Sequence, residues 1–452
     1  MNRAIPLSKI SKLILVFFVF VSCGQTGFAQ EQVLEVDLPT LLKAGGADNL
    51  IIERYKKEQD LARAQYLKAK SWWLPTLSLG TRTNQLWGAA MNSDGGFFLD
   101  VDRANMWLGA EAELAWDFGK APYKVKAESL RLEAASYRTK EEKNQMLLKL
   151  INTYYDLKKA QLDRKAYEEM LKIADTVTRQ VEVQVEGGFR YRSEALTSAT
   201  NARHLEIQLI NAQTRFEKQK EKLRELLDVD NAVKIIPADE LLLPLNLNKK
   251  SDDLVEVVDG KRPGIKALEK EVEALQELKK QTTTGLLLPE LSVLAYGSYF
   301  GGLLEEVEPV RPSEEPDPKT FYPTSAVTVS MIWKLPLGRI FYKGELKHHE
   351  ALIDLEENKL EQFKNKVTRE VKSARAEVEN TRKQLNIAEE AQDLAAEALS
   401  QSIERQKLGT AAPFEVFQAQ EYYLRSRLDY LNVVSNYNKA QYQLYVALGN
   451  NL

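Results

Sequence analysis

Residues that commonly carry chemistry are scarce in this chain. Its 452 residues include three histidines, His204, His348 and His349, and one cysteine, Cys23. The pair His348-His349 invites a metal, but adjacent residues on a helix point in different directions. With no cysteine near and no histidine at helical i,i+4 spacing, the pattern predicts no metal site. No G-x-S-x-G, H-E-x-x-H or G-x-x-x-x-G-K-[ST] spacing occurs. Lys and Glu are abundant along helical stretches, where a solvated charged face accounts for them. The stretch from Gly301 to Pro323 sets Glu305, Glu306, Glu308, Glu314, Glu315 and Asp317 against Arg311 and Lys319. Those carboxylates could attract cations, yet Pro309, Pro312, Pro316, Pro318 and Pro323 mark the segment as an exposed loop. The expectation is no enzyme, no cofactor and no metal, so function must reside in shape and electrostatics.

The elements that would supply the shape are mostly helical. Charge is balanced, 62 basic residues against 65 acidic, which gives no reason to expect a nucleic-acid partner. Arg3, Lys9 and Lys12 precede a short apolar run from Leu13 to Val21, and small residues end at Ala29. These are the three parts of a secretory signal peptide, placed at 1–29. Cleavage after Ala29 removes Cys23. Alternatively Phe20-Val21-Ser22-Cys23-Gly24 resembles a lipoprotein signal, with Cys23 the lipidated N-terminus. In both readings the protein leaves the cytoplasm.

The rest of the chain repeats itself. Leu74-Pro75 returns as Leu288-Pro289, Trp116 to Gly119 as Trp333 to Gly338, and Gly188 as Gly409, each roughly 215 to 220 residues later. From Pro122 to about Glu186 there is neither proline nor glycine beyond the first turn, which predicts a helix about 100 Å long. Lys343 to Leu408 is its counterpart. Leu147, Leu150, Ile151, Tyr154 and Leu157 form an apolar stripe in the first; Leu360, Phe363, Val367, Val371, Val378 and Leu385 form one in the second. Each helix turns at its glycine and returns, over Tyr191 to Leu227 and Pro413 to Leu448. Shorter helices are expected over Asn49 to Trp73 and Ile265 to Thr284. Four strands with period-two alternation complete the pattern: from Leu77 to about Trp87, Met106 to Trp116, Leu291 to Phe300, and Val327 to Leu335. Gly88 to Asn105 and Gly301 to Pro323 read as loops between them. The organisation is thus a first repeat over 30–234, a connector over 235–262 and a second repeat over 263–452, each repeat being helix, two strands and a long helical hairpin.

No apolar run of about 18 residues follows the signal, so any membrane insertion must use a closed β-barrel. Four strands cannot close one, because such barrels begin at about eight. Several chains must therefore share a barrel, and the helices must follow the same symmetry. The ordered landmarks Leu-Pro-x-Leu, Trp-x-x-(x-x)-Gly, the tip glycines and the closing Leu448-Gly449-Asn450 resemble TolC-type outer-membrane efflux proteins over nearly the whole mature chain. The resemblance implies a mixed, mainly α fold: a transmembrane β-barrel, four strands per chain and 12-stranded as a homotrimer, continuous with a long periplasmic α-helical coiled-coil barrel. It implies an exit duct in the outer membrane, in contact with its lipid, serving a tripartite efflux or type I secretion system. The partners implied are a periplasmic adaptor (membrane fusion) protein and an inner-membrane transporter.

Residues carry over by position. Gly188-Phe189-Arg190 and Gly409-Thr410-Ala411, with Pro413, match the tips that meet the adaptor. Glu194 and Glu415, six residues past their glycines, match acids at the narrow periplasmic entrance, and Gln418 stands where the family's second ring acid lies. The tyrosine and arginine that latch the best-known member correspond to Gln406 and Ala411, which leaves Arg190 and Arg192 as candidate partners for Glu194 and Glu415. Trp116 and Trp333 at strand ends suit an interfacial aromatic girdle. The rival reading is a periplasmic structural coiled-coil or adaptor protein whose strands form a soluble sheet. Release by carbonate extraction would favour it.

Overall fold

The computed structural model describes residues 33–47, 49–91, 95–230, 233–238, 242–245, 261–302 and 322–452. The signal segment with Cys23, and most of the acidic, proline-rich stretch, lie outside the described residues. The first repeat contains β1 (Val33–Val36), α1 (Leu38–Ala47), α2 (Leu50–Lys70), β2 (Thr76–Met91), β3 (Phe97–Asp117), α3 (Ala121–Glu186) and α4 (Arg192–Leu227). After β4 (Lys234–Pro237) the second continues with α5 (Pro263–Lys279), β5 (Glu290–Gly302), β6 (Tyr322–Ile332), α6 (Leu337–Tyr342), α7 (Gly344–Lys407) and α8 (Pro413–Ala447). The long helices α3 and α7 hold 66 and 64 residues, close to 100 Å each at about 1.5 Å per residue.

One device ends all four long helices. After α3, Gly188 sits at φ +77°; its N–H donates to the Val185 carbonyl, and Phe189 N–H to that of Gln184. After α7, Gly409 (φ +76°) bonds Gln406 and Thr410 bonds Arg405 in the same way. This paired pattern satisfies the last carbonyls of a helix and requires a left-handed residue. At the far ends Gly449 (φ +81°) does the same after α8, and Asp228 (φ 53°) after α4. Gly188 to Gly409 and Asp228 to Gly449 keep one offset of 221 residues, so each returning helix is a position-by-position copy of the other.

The main core lies along the middle of α3. Leu147, Leu150, Ile151, Tyr154 and Leu157 are all buried, together with Val36, Leu41, Ile52, Leu223, Leu226, Ile235 and Val434. Each such aliphatic side chain contributes about 1.5–3 kcal/mol on burial. Of the α7 stripe, Val367, Val371 and Val378 are buried, while Leu360, Phe363 and Leu385 are half-buried at the edge. Arg262 fastens the second repeat to α3. Its guanidinium binds the Glu141 carboxylate at 2.8–3.0 Å and donates to the Val446 and Ala447 carbonyls, at the last turn of α8.

Four features differ from the sequence expectation. The last strand, expected over Val327 to Leu335, runs over Tyr322–Ile332 and is followed by the short helix α6, since Pro336 ends pairing and suits a helix start. The stretch Gly88 to Asn105 is largely strand: β2 runs to Met91 and β3 begins at Phe97, with a register irregularity between Gly88 and Ala90. Gly88 at φ +92° adjoins the irregularity, where Ala89 faces two residues of β3, Leu99 and Asp100, so the glycine lies beside a bulge rather than at the end of pairing. The connector contributes β4, which pairs in parallel with β1; four-residue strands are too short to show a period. Helix α1 carries Gly45-Gly46, which hid it. A Cβ on Gly45 would stand 2.0 Å from Leu150 Cδ1, so that glycine is what lets α1 close on α3.

Candidate functional site

Two surfaces carry the candidate function: the sheet, and the tips of the two long hairpins. The sheet order is β2-β3-β5-β6, antiparallel throughout. Pairing aligns side-chain faces from strand to strand. Leu77, Leu79, Leu108, Leu114, Val293, Val327, Val329 and Met331 fall on one face, and Leu77, Leu79, Leu108, Val327, Val329 and Met331 are exposed. Ser78, Arg82, Glu111, Glu113, Ser292, Thr328 and Ser330 fall on the other, where Ser292 and Ser330 share a 2.6 Å hydrogen bond. Such alternation, apolar outward and polar inward, suits a sheet with lipid on one side and water on the other. Among the described residues both edges, β2 and β6, lack a neighbouring strand. Among the described residues no helix is long and apolar enough to cross a membrane.

The tryptophans at the strand ends behave differently from one another. Trp116 ends β3 on the apolar face and donates its indole N–H to the Trp73 carbonyl at 3.0 Å. Trp333 lies just past β6 and is exposed. Beside Trp116 the two repeats make backbone contact: a Cβ on Gly119 would lie 2.4 Å from the Gly285 carbonyl oxygen, and one on Gly285 2.1 Å from that of Gly119.

At the tips, Phe189 is exposed beyond Gly188, and Leu408 and Phe414 are exposed around Gly409. Pro413 starts α8 and is buried. Arg190 is the centre of this end. Its Nη2 donates to the Ala411 carbonyl at 2.7 Å, its Nε to Gln184 Oε1 at 2.5 Å, and its Nη1 pairs with Glu194 at 3.3 Å. The guanidinium therefore ties the first tip to the second. Ala411, where the resembled family's latch arginine would lie, serves here as the acceptor. Gln406, where the latch tyrosine would lie, is wholly buried at the end of α7.

Glu415 is exposed and pairs with Arg405 of its own hairpin at 3.2 Å. The expected pairing of Glu415 with Arg190 or Arg192 does not form, because Arg190 is already held by Glu194 and Gln184, and Arg192 points to solvent at the first turn of α4. Gln418 donates to Tyr422 Oη at 3.2 Å, one turn along α8. A groove of about 210 Å³ separates the tips, lined by Glu194, Thr197, Pro413, Phe414 and Phe417. Arg405 and Gln184 were missed by the sequence reading. A repeat alignment carried through the tip would have found them, since both stand four residues before their tip glycine.

A family model described as outer membrane efflux protein matches residues 48–228 and 254–450. No curated protein matches the sequence. Similar solved structures include the outer membrane protein VceC from Vibrio cholerae, with 17% identity, a TM-score of 0.75, and coverage of 92% of this chain and 96% of that one. The CmeC outer membrane channel of Campylobacter jejuni has 15% identity and a TM-score of 0.75, over 91% of this chain and 85% of that one. The MtrE outer membrane channel of Neisseria gonorrhoeae, in its open state, has 17% identity and a TM-score of 0.72, over 91% and 89%.

Proposed function

The chain belongs to the outer membrane efflux protein family, and on that premise we propose that three copies form one continuous duct, fed at its hairpin tips by a periplasmic adaptor and an inner-membrane transporter. The protein is an outer-membrane efflux channel of the TolC type that protrudes into the periplasm, a transport protein and not an enzyme. Channels of this family trimerise and act in tripartite pumps.

The observation that carries the reading is the four-stranded sheet whose edges, among the described residues, are both open and whose apolar face is exposed. An open edge is not tolerated in lipid, where each unsatisfied backbone group costs several kcal/mol. Three copies supply twelve strands, enough to close a barrel, and the repeats 30–234 and 263–452 then act as six similar units around one axis. Glu194 and Glu415 of each copy would line the entrance, where repeated carboxylates focus negative potential and favour cations. The tips around Gly188, Phe189, Gly409, Thr410 and Pro413 would meet the adaptor, with Trp116 and Trp333 at the lipid boundary. Outer-membrane fractionation followed by light scattering in detergent tests the reading. A carbonate-resistant particle with the mass of three chains is expected; release by carbonate as a monomer would overturn it.

A further inference from the structure

The duplication makes the contact between the two repeats a template for the contact between two copies. Within the chain, α3 of the first repeat packs against α8 of the second, antiparallel to it. Asp156 of α3 forms an ion pair with Lys439 of α8, and Ser435 of α8 lies 3.5 Å from the Tyr155 carbonyl. The tips and bases of both hairpins fix the repeat offset at 221 residues. Applied to α3, the offset gives α7; applied in reverse to α8, it gives α4. Asp156 then becomes Glu377, and Lys439 becomes Lys218. The charge signs survive, and both residues are exposed on the single chain.

The apolar positions carry the same message. Ala166 and Leu431, 2% and 8% exposed, become Ile387 and Ile210, which are 68% and 56% exposed. Ile173 and Leu428, packed at the edge of the α3–α8 core, become Leu394 and Ile207, 62% and 54% exposed. These four positions thus recur, still apolar and now uncovered, on the outer faces of α7 and α4, whereas buried Leu424 and Val434 become Arg203 and Gln213. Soluble surfaces do not keep such stripes without a partner. The sheet repeats the logic: β3 lies beside β5, so β6 would lie beside β2 of the next copy, the two edges left open.

We infer that α7 of one copy packs against α4 of the next in the register of α3 on α8, with Glu377 facing Lys218 of its neighbour and Ile387 and Leu394 covered by the stripe that carries Ile207 and Ile210. This rests on the trimeric reading above and adds its register. One pair does not transfer: Glu169–Arg427, 2.6 Å apart, maps to Glu390 and Glu206, which are alike in charge. Arg203, bonded to Glu206 within α4, is the cation at hand there.

The test uses the full chain purified from outer membranes. Lys218→Glu and Glu377→Lys, each alone, set like charges at every seam between chains and should lower the fraction of trimer surviving dilution in detergent by about tenfold. The double variant Lys218→Glu/Glu377→Lys should restore it; a double variant no better than the singles would overturn the pairing. Independently, Lys218→Cys with Glu377→Cys should be joined between chains by a short bis-maleimide, and Lys218→Cys with Glu370→Cys, one heptad away, should not. Trimers linked only through position 370 would overturn the register and leave the trimer standing. A monomer in detergent, linked at neither pair, would overturn the trimer as well.

Discussion

At the scale of single residues, the candidate entrance depends on which carboxylates are neutralised. Glu194 is held by Arg190 within the same tip, and Glu415 by the more exposed Arg405. An exposed ion pair is worth about 1 kcal/mol at most, so at the proposed entrance Glu415 would keep most of its field. Glu415→Ala should therefore weaken the cation preference of the reconstituted pore or raise its conductance, and Arg405→Ala should strengthen that preference. Unchanged single-channel selectivity in both would remove Glu415 from the constriction. A different residue governs stability. Arg262 is buried against Glu141 and the carbonyls of Val446 and Ala447. Arg262→Ala leaves the buried Glu141 carboxylate without its cation, a loss of about 3–5 kcal/mol at most because Gly264 N–H and Gln145 still donate to it, and should lower the midpoint of thermal unfolding by several degrees. An unshifted midpoint would mean that this buried contact contributes little. Nothing in the sequence marks Arg262, since a clasp between residues 121 apart leaves no local pattern.

At the scale of elements, what was legible followed periodicity and punctuation. The helices from 121 to 186 and from 344 to 407 could be read because no proline or glycine interrupts them beyond the first turn. The strands were readable by alternation, but their ends were not: Gly88 and the Asn and Asp residues around it suggested a loop where the hairpin continues through a bulge. The candidate site was half legible. Glu194 and Glu415 could be placed by position, whereas their partners depend on how the hairpins pack side by side, which no single-helix pattern encodes. Strand alternation itself can be tested. Val329 lies on the exposed apolar face, and Thr328 next to it on the opposite one. Val329→Arg places a charge in lipid at a cost of about 2–4 kcal/mol near mid-membrane and should cut the yield of outer-membrane trimer. Thr328→Arg should assemble normally and shift the pore toward anions. Equal loss with both would mean that the faces are not divided between lipid and water.

At the scale of the whole molecule, the duplication gives the proposed trimer six seams of two kinds. Three join repeats within a chain, and three join neighbouring chains. They differ at the tips because Arg190 and Ala411 are equivalent positions, 221 residues apart. Inside a chain, the Arg190 guanidinium donates to the Ala411 carbonyl, a charge-assisted bond worth about 1.5–3 kcal/mol. Between chains of the proposed trimer, the same operation would put the Ala411 methyl where the guanidinium lies within a chain, and the Arg190 carbonyl opposite would go without this donor. The entrance should thus part first at the seams between chains, with each chain's two tips moving together. Arg190→Ala abolishes the distinction and frees all six tips. Its pores should show higher mean conductance and more frequent opening in planar bilayers, while Arg190→Lys, which keeps a positive donor, should fall between it and the parent. A conductance unaltered by Arg190→Ala would show that the bond to Ala411 orders the tip without holding the entrance shut.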